Sequence, residues 1–130
     1  MYIRSLILAA AMLAGCEKDE TLTAFGAGEF TWQLTEINDA AYSATATISF
    51  ATAGEVSGQA PCNSFSASQN APYPWFETGP IRATRRACPD LKLETEFLGA
   101  LARMTFAEVL GPVLILSNDE GESMVFQPAE

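Results

Sequence analysis

The residues of this chain with the greatest capacity for chemistry are its three cysteines, because histidine is absent from all 130 positions. Without histidine there is no Ser-His or Cys-His nucleophile pair and no zinc site that needs an imidazole ligand. The cysteines, Cys16, Cys62 and Cys88, show no Cys-x-x-Cys spacing, which disfavours a redox or metal-binding role. We therefore expect no metal and no other cofactor.

Cys16 directly follows a segment with the anatomy of a secretory signal peptide. A short start containing Arg4 precedes an apolar run over residues 5–13, which is shorter than the roughly 20 residues that a membrane-spanning helix needs. Residues 13–16, Leu-Ala-Gly-Cys, resemble the lipobox of bacterial lipoproteins, in which cleavage leaves the cysteine as a lipidated N-terminus. The resemblance implies removal of residues 1–15 and attachment to a membrane through lipid on Cys16. An ordinary signal peptide followed by an incidental cysteine is the alternative.

The residue after Cys16 bears on the destination of such a lipoprotein. Many Gram-negative bacteria retain lipoproteins with Asp at this position in the inner membrane, whereas Glu17 stands there in this chain. The resemblance therefore implies the outer membrane, with the protein facing the periplasm. Residues 16–29 are polar and lack sustained periodicity, which predicts a tether, and the folded domain is expected over residues 30–127.

Cys62 and Cys88 remain as an even pair once Cys16 carries lipid. In an oxidising periplasm such a pair predicts a disulfide, and two buried free thiols are the alternative.

Arg82, Arg85 and Arg86 place three of the seven basic residues of the chain within one short stretch. Guanidinium groups bind carboxylates and phosphates bidentately, so one interpretation is a pocket for a small anionic ligand. The other, which we favour, is that the arginines pair with the 16 Asp and Glu residues of the chain itself. Asn63 either bonds backbone groups of its own loop or contacts a ligand.

Trp75 and Phe76 lie between Tyr73 and Glu77 in a proline-containing stretch. They form either an exposed aromatic contact surface of the kind enriched at interfaces or part of the core, and the core is the favoured interpretation. A net charge of −9 disfavours binding to DNA or RNA, because it repels the phosphate backbone.

The carboxylates offer no convincing catalytic pair. Glu94 and Glu96 are two positions apart on a predicted helix and so do not face each other, as the acid and base of a glycosidase must. Both are expected on the solvent-exposed side of that helix. We therefore do not expect an enzyme.

These residues must be positioned by an α+β fold. Alternation of apolar and polar residues predicts many short strands, most clearly over residues 44–50, with further short strands at residues 75–78 and 81–84. One amphipathic helix begins after Asp90, whose side chain is expected to cap it, and Gly99 is expected to let the helix approach the sheet closely. The pattern predicts a curved antiparallel sheet or incomplete barrel of short strands covered by one amphipathic helix.

Six short pieces of the sequence, in order, resemble the META domain, the family of HslJ-like heat-shock proteins. They are Trp32-x-Leu34-x-x-Ile37, Phe50 with Gly54-x-Val56-Ser57-Gly58, Cys62-Asn63-x-Phe65, Thr84-Arg85-Arg86-Ala87-Cys88, Phe97-Leu98-x-Ala100-Leu101, and Leu114-x-Leu116 with Gly121 and Phe126. Pro61 departs from the pattern, because the family usually has glycine before the Cys-Asn pair.

The resemblance implies a protein of the bacterial envelope associated with heat or antibiotic stress, and it brings no catalytic residues. We therefore expect a lipid-anchored, non-catalytic accessory of the envelope-stress response that contacts another envelope protein. A periplasmic module that binds a small anionic ligand through the arginines is the alternative.

Overall fold

The computed structural model describes residues 18–130, so the predicted signal peptide and Cys16 lie outside the described residues. Within this range one α-helix and nine antiparallel strands form the domain, which confirms the predicted α+β class of many short strands and one helix. The strands are β1 Thr31–Ile37, β2 Ala40–Ala41, β3 Thr47–Ser49, β4 Glu55–Gln59, β5 Ser64–Ser68, β6 Arg82–Ala83, β7 Phe106–Leu110, β8 Val113–Ser117 and β9 Ser123–Pro128, and helix α1 spans Leu91–Arg103.

The strands form one open sheet in the order β6-β5-β4-β3-β1-β9-β8-β7, with β2 paired to β1. Alternation places one face of each strand in the core, because successive side chains of a strand point to opposite faces. Ile48 and Phe50 are buried as predicted, and the helix covers this face with Phe97, which packs edge-on against Phe65 at 5.5 Å between ring centroids. None of the helices in the described part of the chain is long and apolar enough to cross a membrane.

A bridging segment, residues 74–79, partly spans the gap between the two ends of the sheet. The Phe76 amide donates to the Thr105 carbonyl (2.9 Å) beside β7, and the Gly79 amide donates to the Ser68 carbonyl (3.0 Å) of β5. The predicted strand at residues 75–78 is therefore wrong: only isolated pairings form. Prolines on both sides of the segment remove the backbone donors that a regular ladder requires.

The predicted tether over residues 16–29 is wrong for its second half. Two short 3₁₀ helices, Leu22–Phe25 and Ala27–Glu29, pack on the domain, and Leu22 and Ala27 belong to the core. The indole Nε1 of Trp32 donates to the Ala27 carbonyl at 2.8 Å. Turns of three or four residues are too short to produce the periodicity by which helices are recognised, so the sequence offered no signal.

We expect Leu22→Ala to lower the free energy of unfolding by about 2–4 kcal/mol, because it leaves a cavity in a core position. Ala24→Ser, at an exposed position of the same 3₁₀ helix, serves as the control and should change it by less than about 0.5 kcal/mol. Urea unfolding followed by fluorescence measures both. An equal, small effect of the two substitutions would mean that residues 21–29 are indeed a detached tether.

Candidate functional site

Asn63 and Glu94 form a buried polar cluster, here called the latch, which ties the loop after β4 to the first turn of α1. One carboxylate oxygen of Glu94, Oε1, accepts bonds from the backbone amides of Cys62 (3.0 Å) and Asn63 (2.8 Å). The other oxygen, Oε2, accepts a bond from Asn63 Nδ2 at 2.7 Å. The latch thus fixes the start of the helix against the sheet through charge-assisted hydrogen bonds.

The side chain of Asn63 also holds the segment after β6. Its Oδ1 accepts bonds from the Thr84 hydroxyl (3.0 Å) and the Arg86 amide, and its Nδ2 donates to the Arg86 carbonyl (3.0 Å). Together with the bond to Glu94, these contacts use both donors and both acceptor positions of the amide. Asn63 therefore has no hydrogen-bonding capacity left for a ligand, and its role is structural.

The expectation that Glu94 faces solvent is wrong, since only 5% of its surface is exposed. Its position explains why: Glu94 precedes Phe97 by three residues and Leu101 by seven, which places all three on one face of the helix. The spacing of Glu94 from Phe97 and Leu101 is visible in the sequence, but its charge led to the prediction that it faces solvent. The capping role expected of Asp90 is also wrong, because its side chain makes no capping bond.

Tyr42 provides a second tie to the same end of the helix. Its hydroxyl donates to the Leu93 carbonyl at 2.8 Å. Burial, followed by the negative charges of Glu96, Asp90 and Glu94, raises the pKa of Tyr42 to about 12. The phenol therefore stays protonated, and remains a donor, at any pH near neutrality.

The predicted disulfide between Cys62 and Cys88 is present, with 5.6 Å between the two Cα atoms. It joins the loop after β4 to the segment that leads into α1, directly beside the latch. The disulfide and the latch therefore hold the same two segments, one by a covalent bond and the other by hydrogen bonds.

The three arginines are exposed, and their side chains do not converge on one pocket. Arg82 lies opposite Ser66 on the outer face of the sheet, at the end of a row of hydroxyls from Ser49 and Ser57. It lines a concavity of 310 Å³ to which neither Arg85 nor Arg86 contributes. A carboxylate, Glu55, lies in the same concavity, which opposes binding of a small anion there.

The favoured pairing of these arginines with carboxylates is not observed within residues 18–130. The ion pair found in that range joins Arg103 to Glu122, at 2.8 Å on the surface. Hydrogen bonds from Arg103 and Asn118 lower the pKa of Glu122. The guanidinium groups of Arg82, Arg85 and Arg86 have no carboxylate of the described residues within 4.0 Å. In the same part of the chain, no three acidic or cysteine side chains are grouped to hold a metal ion.

Of the two neighbouring aromatic residues, only one belongs to the core. Phe76 is 2% exposed, whereas Trp75 is 54% exposed. Adjacent residues of an extended segment point in opposite directions, so a single core can take only one of them. The Trp75 ring instead packs on Phe106 of β7, with 5.0 Å between ring centroids.

Further exposed apolar side chains lie on the elements next to Trp75. Phe25, 52% exposed, stacks on Tyr73 with ring centroids 4.8 Å apart, and Leu110, 54% exposed, is on the same face of β7 as Phe106. We call these five residues, Phe25, Tyr73, Trp75, Phe106 and Leu110, the aromatic edge. Sequence reasoning missed Phe25 and Leu110. Glu108, a charged residue on the same face of β7 as Leu110, was a usable signal that Leu110 is exposed.

Glu94→Gln should lower the free energy of unfolding by about 1–3 kcal/mol, because its amide nitrogen would place a donor against the donors that the carboxylate now accepts. Glu96→Gln, on the exposed side of the same helix, is the matched control and should change it by less than about 0.5 kcal/mol. Urea unfolding at neutral pH measures both, and equal values for the two variants would contradict the structural role of the latch.

Replacing both Cys62 and Cys88 by serine should lower the free energy of unfolding by about 3–4 kcal/mol, as expected for opening a loop of this length on the chain-entropy model. The two residues are 26 positions apart in sequence. Adding a reductant to the native chain should produce the same loss, and should have no effect on the double variant. A native chain insensitive to reductant in unfolding measurements would contradict the prediction.

Comparison with known proteins agrees with this architecture. Two solved structures share the fold. An NMR structure of a protein from Burkholderia xenovorans has a TM-score of 0.63 and 21% identity, covering 83% of this chain and 86% of that one. A crystal structure of a DUF4847 family protein from Bacteroides vulgatus has a TM-score of 0.65 and 13% identity, covering 82% and 96%.

At these identities the likeness concerns the fold alone, and no curated protein matches the sequence. The META domain, in contrast, matches residues 21–130, which includes the latch, the disulfide and both ends of the sheet. The chain therefore belongs to the META domain family.

Proposed function

We propose that this chain is a lipid-anchored protein of the bacterial outer membrane, facing the periplasm, whose META domain contacts another envelope protein without catalysing a reaction. In this proposal the protein acts as an accessory of the envelope-stress response. The main observation that supports the proposal is the exposure of Trp75, which packs on Phe106 within the aromatic edge.

The aromatic edge has the composition of a binding surface. Three of the four exposed large hydrophobic side chains of the described residues, Phe25, Trp75 and Leu110, lie there. Tryptophan is the residue most enriched among those that dominate binding energy, because it buries a large area with little loss of conformational freedom. Apolar side chains grouped on a surface in this way mark interaction sites in soluble domains.

The surroundings of the aromatic edge favour a protein partner over a bilayer. Glu108 lies on β7 between Phe106 and Leu110, and Glu77 follows the core residue Phe76. Both carboxylates are exposed. Carboxylates at these positions are repelled by anionic lipid headgroups, which opposes docking of the aromatic edge on a bilayer.

The aromatic edge also lies close to the point where the chain enters the domain. The backbone amide of Tyr73 donates to the Glu20 carbonyl at 2.7 Å. Glu20 is four residues from Cys16, a distance of at most about 14 Å for an extended chain. With lipid on Cys16, the partner would meet the aromatic edge close to the membrane surface, which favours a partner that is itself membrane-attached.

Photo-crosslinking in intact cells tests the proposal. A benzoylphenylalanine probe at position 75 should give one discrete protein adduct, while the same probe at Leu91, exposed but outside the aromatic edge, should give none. Trp75→Ala should weaken co-purification of the adducted partner by about 30-fold or more, as for a tryptophan that dominates an interface. Uncrosslinked monomer or a lipid adduct at position 75 would contradict a protein partner. The mass of the N-terminal peptide tests lipidation of Cys16 separately.

A further inference from the structure

The outer edge of β6 is an unused strand edge. β6 ends the sheet, and β5 is its neighbour on one side only. The Thr84 amide donates to the Ser64 carbonyl at 3.1 Å, so Thr84 and, two residues before it, Arg82 direct their backbone groups toward β5. Because backbone groups alternate in direction along an antiparallel strand, the N–H and C=O of Ala83 point away from β5.

An apolar groove of 580 Å³ runs along this edge, between β6 and helix α1. Pro80, Ile81 and Ala83 line one side, and Leu98, Gly99 and Ala102 of the helix line the other. The expectation that Gly99 lets the helix pack closely on the sheet is wrong. A Cβ atom at Gly99 would meet only the Arg103 side chain, at 3.3 Å, and no atom of the sheet within 4 Å. Gly99 instead forms part of the groove wall.

One wall of the groove contains a polar atom without a partner. The hydroxyl oxygen of Thr78 is buried and makes no hydrogen bond with any described residue. Because this oxygen has almost no exposed surface, a partner in the groove would meet mainly the apolar side chains of its walls.

The charge on the outer face of this strand edge is positive, in a chain whose net charge is −9. Arg82 projects from β6 on the outer face, and Arg85 and Arg86 follow on the same segment, with no carboxylate of the described residues paired to them. A second copy of this chain, adding its own β6 to this edge, would set arginine near arginine, which is unfavourable. An added strand would lie on the far side of Arg82 from Glu55 of β4, so this edge fits an acidic strand.

We propose that the free edge of β6 and the adjoining groove bind an extended acidic segment of a partner protein by strand addition. Backbone bonds to Ala83 would hold the segment, as in other domains that bind a peptide at a sheet edge. Because side chains alternate along a strand, every second residue of the segment would be apolar and enter the groove, and the residues between them would be acidic and lie beside Arg82. This site is separate from the aromatic edge and does not require the lipid anchor.

The test measures fluorescence anisotropy of a labelled peptide, Glu-Val-Glu-Val-Glu-Val-Glu, titrated with the purified full chain in detergent. We expect saturable binding, and none for the matched peptide with lysine in place of glutamate. Methylating the backbone nitrogens on one edge of the acidic peptide should weaken binding at least tenfold, since it removes the donors of the ladder. Absence of saturable binding, or equal binding of the lysine peptide, would overturn the proposal.

Two variants locate the site. Ala83→Pro removes the outward N–H while leaving the bonds to β5 intact, because proline is tolerated at a sheet edge where its nitrogen faces away from the ladder. It should weaken binding at least tenfold. Arg82→Glu should reverse the preference in favour of the lysine peptide, a gain that a misfolded chain would not show. Trp75→Ala should leave peptide binding unchanged. Unaltered binding by both Ala83→Pro and Arg82→Glu would place the peptide elsewhere and refute the site.

Discussion

The buried carboxylate of Glu94 is the interaction on which the arrangement of this domain depends. It satisfies the amides of two consecutive residues in the loop after β4 and the side chain of Asn63, which in turn holds the backbone of Arg86. Glu94 and Asn63 thus connect three parts of the domain: helix α1, the loop between β4 and β5, and the arginine-bearing segment after β6. A charge in such a position is costly to bury, and the three donors that face it provide the compensation.

The outer face of the sheet is divided into two chemically different halves. Strands β3 to β6 present hydroxyls and end at Arg82, whereas the half formed by β7 to β9 presents Phe106, Leu110 and their apolar neighbours. Both halves share one continuous core on the inner face. The bridging segment runs between them and carries Trp75 toward one half and Thr78 toward the groove of the other. Two surfaces with different chemistry therefore border a single loop.

The sequence was a good guide wherever residue type and position agreed. Alternation identified the inward residues of β3, and the even cysteine pair identified the disulfide. The sequence misled for Glu94, because a charged residue occupies an apolar position of the helix. It gave no signal for Leu22, because the turn that contains Leu22 is too short to show a period. The outward turn of Trp75 and the groove beside β6 depend on contacts between distant segments, Trp75 with Phe106 and β6 with α1, which no local pattern encodes.

The latch has a further consequence for how relatives of this protein can diverge. It binds the main chain of residue 86 through its amide and carbonyl, and leaves the guanidinium exposed. Any residue with a backbone N–H can make those bonds, so a substitution at position 86 by any residue but proline changes the surface without removing the hydrogen bonds to Asn63. Natural selection can thus alter what the loop recognises while the fold that presents it stays constant.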